Sequence, residues 1–365
     1  MKNKLNEKKL KNTRISVKPF VYTIPSISSV SIKFLILLAL QVIMLLITGS
    51  FRAVFVVTVS LTGSIVAAIL NYYIKKEALY NIMNIAIQGM LIGLLLPESY
   101  PLPMVFVISF VTIIISRSVV FKGINNWINV PAIAVIIAWY IGNAYFPQFA
   151  VSSELLPLKN SSVYLIQNGY FPTYSFDSPV TAFLNKYIFS IANVTIPEGF
   201  ISAMWDTNSI IPAFRFNLLT IVSSIIVFSD NSFSVIIPAS FLAIYTLLVR
   251  LFASYFFGGI INQGDMILAL LTSGILFSTV FLIQWYGTIP VTVIGKLVLG
   301  ILSGIIAFAI IGCGTSPVGI AYTIICSNII CMFIRIFEEK KNELTAGKVI
   351  AKYSAKIAAE TGAQQ

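Results

Sequence analysis

Residues 34–48 read FLILLALQVIMLLIT, an apolar run whose polar side chains are Gln41 and the closing Thr48. Extended by its neighbours, such a run approaches the roughly twenty apolar residues that an α-helix needs to cross a bilayer. Nine further runs of this kind follow, near 53–72, 79–97, 104–120, 128–146, 211–229, 234–254, 265–285, 292–311 and 318–337. We therefore predict an all-α integral membrane protein with about ten transmembrane helices.

The composition agrees with this prediction. Of the 365 residues, 58% are hydrophobic and 10% are charged, whereas about one quarter of a typical soluble domain is charged. So few charges could not cover a water-soluble globule of this length, but helices in a bilayer meet hydrocarbon and need no polar cover. The composition excludes an ordinary soluble enzyme.

The formal net charge is +11, and much of it is concentrated in the first 18 residues. This basic stretch stops where the apolar runs begin, which favours a cytoplasmic tail near anionic lipid. A nucleic-acid interface would place such charge on a folded face with aromatic partners. We therefore predict a lipid bilayer and no nucleic acid as a partner.

Between the fifth and sixth runs the chain turns polar and aromatic. The predicted organisation is a basic cytoplasmic tail (1–30), a first five-helix repeat (31–147), an external loop (148–210), a second five-helix repeat (211–337) and a cytoplasmic C-terminal tail (338–365). The orientation follows from basic residues in the short connections, which mark the cytoplasmic side. These are Lys75, Lys76, Arg117 and Lys122.

Five helices followed by five would insert the second repeat upside down relative to the first, as in many transporters. Pro131 and Pro317 each interrupt an apolar run beside a Gly- or Asn-rich turn. They could break helices inside the bilayer and free backbone groups for an ion or polar ligand. Alternatively, they simply begin helices at the interface. Asn126 and Asn129 are predicted to line an internal site, because a buried amide must find hydrogen-bond partners.

The residue inventory also excludes several kinds of chemistry. The sequence contains no histidine, which rules out a His-ligated haem, a His-bound zinc and a Ser-His-Asp triad. Cys313, Cys326 and Cys331 match no metal or thioredoxin spacing and are predicted to be core residues. No catalytic residue and no metal ligand is predicted.

Several motifs, taken in order, carry a family resemblance: LLLPESYPLPM (94–104), SRSVVFKG (116–123) and NWINVPA (126–132), then LLTSG (270–274), GKLVLG (295–300) and GIAYT (319–323). Over roughly residues 15–337 the chain resembles the membrane subunit shared by two respiratory complexes. These are RnfD of the Rnf ferredoxin:NAD oxidoreductase and NqrB of the sodium-pumping NADH:quinone reductase. RnfD is preferred, because NqrB-type chains carry a longer N-terminal extension.

The resemblance implies a urea-channel-like fold of two inverted five-helix repeats in a bacterial or archaeal cell membrane, with both termini cytoplasmic. It also implies FMN, attached by a maturation enzyme, a flavin transferase, to a threonine in a Ser-Gly-Ala-Thr type of motif. Here residues 177–184 read DSPVTAFL, so Thr181 stands three residues after Ser178 and follows Asp177. Pro179 and Val180 replace the Gly-Ala pair. A second, non-covalent flavin is a further possibility.

Charged residues near the ends of the runs commonly anchor a span at the interface, as Asp265 and Arg215 are expected to do. If Arg215 points inward, it could neutralise a flavin phosphate or pair with Asp206. The alternative is that its long side chain snorkels outward to water.

Two functions remain open at this point. The first is a membrane subunit of an Rnf- or Nqr-type complex, which passes electrons through flavin and helps to move Na⁺ or H⁺ together with partner subunits. The second is a flavin-free channel or transporter on the same scaffold.

Overall fold

The computed structural model describes residues 26–75, 82–116, 128–148, 161–193, 195–229, 233–256, 258–284, 289–312 and 316–362. Within these ranges the chain is built from helices and no strand occurs. The first 25 residues of the predicted basic tail lie outside the described part of the chain. The prediction of an all-α membrane protein is confirmed.

The first half contains five apolar helices, each at the position of a predicted run. Their bounds are α1 Ile27–Ile47, α2 Phe51–Lys75, α3 Ile82–Leu95, α4 Leu102–Ile115 and α5 Val130–Gly142. Over the described residues, α1 and α2 have the length and composition of a complete span, and the other three are shorter apolar helices.

In the central loop, residues 148–210, the described part contains three short α-helices, α6 Ser161–Gln167, α7 Asp177–Tyr187 and α8 Phe200–Trp205. The second half then begins with α9 Asn217–Phe228 and α10 Ile236–Leu248, which continues through a π-helical turn, Val249–Ala253. It ends with α11 Met266–Thr272, α12 Ile275–Phe281, α13 Val293–Ile311 and α14 Gly319–Gly362. The predicted eighth span is therefore two helices, and the last helix runs far into the predicted C-terminal tail.

Small residues let the helix backbones approach closely in both halves. A Cβ atom on Gly63 of α2 would lie 2.9 Å from the carbonyl oxygen of Phe106 in α4. In the second half, a Cβ atom on Gly300 of α13 would lie 2.8 Å from the carbonyl oxygen of Ile237 in α10. Such close contact holds helices together in lipid, where burial from water supplies no driving force. Each half thus packs its second predicted span against its fourth.

Both interrupting prolines lie at the start of a helix, and neither lies in the interior of one. Pro131 lies in the first turn of α5, where Asn129 is the N-cap, and Pro317 precedes the start of α14 at Gly319. A proline fits there because its missing N–H would have no helical acceptor. The interruption lies instead between α11 and α12, at Gly274, whose φ of 70° is the left-handed conformation that glycine tolerates.

Candidate functional site

Thr181, the predicted flavin carrier, lies on α7 with its side chain directed into the protein. Its hydroxyl donates a hydrogen bond of 3.0 Å to Oδ1 of Asp177, one turn earlier. Both residues are 3% exposed. The structure therefore brings together two of the predicted site residues, Asp177 and Thr181, on the inner side of one helix.

Asp177 also holds the start of α8. The backbone N–H of Gly199 donates to Oδ1 at 2.7 Å, and the N–H of Ser202 donates to Oδ2 at 2.6 Å. Burial by itself raises the pKa of this carboxyl, but the hydrogen bonds from Gly199, Ser202 and Thr181 outweigh it and leave the pKa below its ordinary value. Asp177 is therefore an ionised acceptor that joins α7 to α8.

The inner side of α7 continues as a polar line. Asn185, one turn beyond Thr181, exchanges two hydrogen bonds with the backbone of Ile196, at 2.8 and 2.9 Å. Ser178 is not part of this line, because its exposed hydroxyl donates to Glu198 Oε1 at 2.8 Å. Asp177, Thr181 and Asn185 thus dock α7 through polar contacts.

Arg215 is buried and does not snorkel towards water. Its Nε donates to Asp206 Oδ1 at 2.9 Å, and Nη2 donates to Oδ2 at 2.6 Å. Nη1 donates to the hydroxyl of Ser50, in the turn between α1 and α2. The predicted alternative of a pair with Asp206 is the one that the structure shows, and the positive charge is already matched by a carboxylate.

These contacts bear on whether a phosphoester would fit at Thr181. The hydroxyl is buried, and its hydrogen bond is directed at the Asp177 carboxylate, so a phosphate there would meet a like charge at short range. The guanidinium of Arg215 already forms an ion pair with Asp206, so its charge is not available to a phosphate. In the described arrangement the residues do not fit a phosphoester on Thr181.

Inside the helix bundle, two buried amide side chains bind the backbone of the interrupted span, α11 and α12. Asn217 Nδ2 donates to the carbonyl oxygen of Leu271 at 3.0 Å, beside the interruption at Gly274. Asn129 Nδ2 donates to Leu282 O at 3.0 Å while its Oδ1 caps α5. The prediction that Asn129 finds internal partners agrees with these contacts, and Asn126 lies outside the described residues.

Two carboxylates with structural roles were not recognised in the sequence. Asp265, expected only as an interfacial anchor, caps α11 by accepting from the N–H groups of Ile267 and Leu268, and its other oxygen accepts from the N–H of Ser162 in α6 at 2.8 Å. An aspartate directly before an apolar run is an N-cap signal that could have identified it. Glu338 accepts from the N–H groups of Val291 and Thr292 at 2.8 and 3.0 Å. No local sequence pattern indicates that contact.

Comparison with known proteins assigns the chain to a family. The model of the NQR2, RnfD, RnfE family matches residues 14–343, which include both groups of apolar helices and the central loop. A search of curated proteins gave no match. The family match covers well over half of the chain, and the chain belongs to the NQR2, RnfD, RnfE family.

Proposed function

We propose that this chain is the membrane subunit of an Rnf- or Nqr-type complex and takes part in electron transfer coupled to the movement of Na⁺ or H⁺. The observation that carries the proposal is the continuous family match over residues 14–343. Other subunits of the complex would be its partners. Both termini are proposed to lie in the cytoplasm of a bacterial or archaeal cell.

FMN on Thr181 stays a prediction that rests on the family resemblance. What supports it is the position of Thr181 in the central loop, on a helix whose neighbours Ser178, Pro179 and Val180 are exposed. For attachment, the Thr181 hydroxyl would first have to leave Asp177 and become accessible to a flavin transferase. A second, non-covalent flavin also remains a proposal from the resemblance.

A flavin-free channel or transporter is the second candidate function. Two observations favour it. Thr181 is buried against a carboxylate, and a helix is interrupted within the apolar bundle beside the buried amide of Asn217. Interrupted helices are where transporters of inverted-repeat architecture bind substrates and ions.

Flavin fluorescence in a denaturing gel separates the two functions. The tagged chain is co-expressed with a flavin transferase, and wild type is compared with Thr181→Ala and with the matched control Ser178→Ala. The first function predicts a fluorescent band in wild type and in Ser178→Ala that is lost in Thr181→Ala. A dark wild-type band, beside a fluorescent known substrate of the same transferase, would favour the flavin-free function.

Membership in a complex is tested independently of flavin. Mild solubilisation of native membranes and purification through a tag on this chain should recover the other subunits in constant ratio. A chain that is recovered alone, with the same result after chemical cross-linking of the membranes, would contradict the proposed function.

A further inference from the structure

Helix α7 is polar on the side that faces the protein and apolar on a side that does not. Its inner line consists of Asp177, Thr181 and Asn185, all hydrogen-bonded. A helix packed on a water-soluble protein normally buries its apolar residues and exposes the polar ones. The reversed arrangement of α7 indicates that its apolar side has a partner of its own.

That apolar side is an unbroken stripe at helical spacing, here called the aromatic stripe: Phe176, Val180, Phe183 and Tyr187. These positions follow one another at intervals of three or four residues, which places them on one face. Phe183 is 57% exposed and Tyr187 is 56% exposed, with their ring centroids 4.9 Å apart. Ile191, just beyond the helix, is 86% exposed and extends the apolar surface.

The contacts of the aromatic stripe lead towards the helix bundle. Phe176 packs edge-on against the indole of Trp205, with ring centroids 5.8 Å apart. Trp205 ends α8, and α8 packs against α9, the first apolar helix of the second half. The stripe is therefore joined, through Trp205, to the point where the chain enters the helix bundle.

The central loop is also tied to the ends of several apolar helices. Asp206 of the loop pairs with Arg215, which reaches Ser50 between α1 and α2. The N–H of Glu98, after α3, donates to Ile210 O at 3.0 Å. Asp265 at the start of α11 holds Ser162 of α6. These three connections keep the loop close to one end of the helix bundle.

The charges around the stripe suit a lipid headgroup layer. Asp177 and Asp206 point inward to hydrogen-bond donors, and Lys186 holds its ammonium 5.1 Å from the centroid of the Tyr187 ring. Aromatic side chains beside a lysine are the residues that accumulate at the membrane interface. An apolar stripe bordered by polar residues is the pattern of a helix that lies in the plane of that interface.

We propose that α7 lies in the headgroup layer of the leaflet on the side of the central loop, with the aromatic stripe turned towards lipid. The Ala182 and Lys186 side of the helix then faces water, and the inner line keeps α7 fixed to α8. This placement does not depend on whether Thr181 carries a flavin.

Nitroxide labels on neighbouring residues test the placement. The full-length chain, with its three cysteines replaced by alanine, carries a single cysteine at Phe183→Cys or at the matched control Ala182→Cys. Each variant is reconstituted in nanodiscs of phosphatidylethanolamine and phosphatidylglycerol. The label at 183 should collide several-fold more with oxygen than with a water-soluble nickel chelate, and the label at 182 should show the reverse preference.

Equal access of the nickel chelate to both labels would overturn the proposal. If the label at 183 is exposed to water in nanodiscs but is protected when the chain is purified in its native complex, the stripe belongs to a protein partner and the lipid proposal is also wrong. Tyr187→Cys provides a second position on the stripe, should Phe183→Cys fail to fold.

Discussion

The guanidinium of Arg215 forks onto the carboxylate of Asp206, and the two side chains are only 5% and 2% exposed. The third nitrogen of the fork, Nη1, donates to Ser50. Tyr174 adds a longer hydrogen bond of 3.4 Å from its hydroxyl to Asp206 Oδ2. One ion pair thus joins the end of the central loop, the approach to α9 and the turn between α1 and α2.

Replacing one partner of this pair should lower the stability of the folded protein more than replacing both. Arg215→Ala leaves the Asp206 carboxylate buried without its cation, and breaking a buried pair in this way costs about 3–5 kcal/mol. The double variant Arg215→Ala/Asp206→Ala should recover part of the loss. Thermal stability of the detergent-solubilised chain, followed by size-exclusion chromatography after heating, checks this order. A double variant less stable than either single one would contradict a coupled pair.

The ionisation of Asp177 should make the attachment of α7 to α8 sensitive to acid. Because the folded pKa is lowered, the stabilisation is complete above the ordinary carboxyl pKa of about 4 and is lost as the pH falls through the lowered folded value. Asp177→Asn lacks this charge. At the highest pH at which an acid-active protease still cuts, the variant should be cleaved faster than wild type. The difference from wild type should shrink below about pH 4. A difference in cleavage rate between variant and wild type that is the same at every pH would show that Asp177 acts without its charge.

Gly274 should tolerate no side chain. Its φ is 70°, and a Cβ atom would lie 2.1 Å from the ring of Phe214. Gly258 is the matched control, because its φ is 85° but no atom lies within 4 Å of the position of a Cβ. Gly258→Ala should cost about 1 kcal/mol of backbone strain, while Gly274→Ala should prevent stable folding. Similar amounts of folded protein from both variants, in the same heating assay, would show that Phe214 moves aside freely.

Glu338 should be needed to hold α14 against the start of α13. Its carboxylate accepts from Val291, from both the N–H and the hydroxyl of Thr292, and packs over Gly295. Glu338→Ala would leave these donors unsatisfied at about 1–3 kcal/mol each, whereas the exposed neighbour Glu339→Ala should have little effect. Melting temperatures of the two variants check the difference. Equal temperatures would mean that water replaces the carboxylate without cost.

Much of the fold could be predicted from the sequence, because a span leaves a long apolar run that no soluble helix needs. Each of the ten predicted runs contains a helix in the structure. The interruption at Gly274 could not be predicted in the same way, because residues 265–285 remain apolar across it. Only the φ of Gly274 and the ring of Phe214 reveal why the helix stops there.

The candidate site was predicted less completely. Asp177 and Thr181 were named together through the flavin motif of the family, and no contact between them was predicted. The contacts of Asp177 with Gly199 and Ser202 join residues more than twenty positions apart, and a single sequence carries no signal for such pairs. The burial of Thr181 depends on those same contacts, so it too could not be predicted.

The carboxylate of Asp265 serves two helices at once, α11 through one oxygen and α6 through the other. Removing that carboxylate would therefore uncap α11 and release α6 at the same time. Ile166 of α6 in turn rests on Gly199, where a Cβ atom would lie 2.0 Å from its Cγ2 methyl group. A single side chain at the start of α11 thus anchors part of the central loop to the helix bundle.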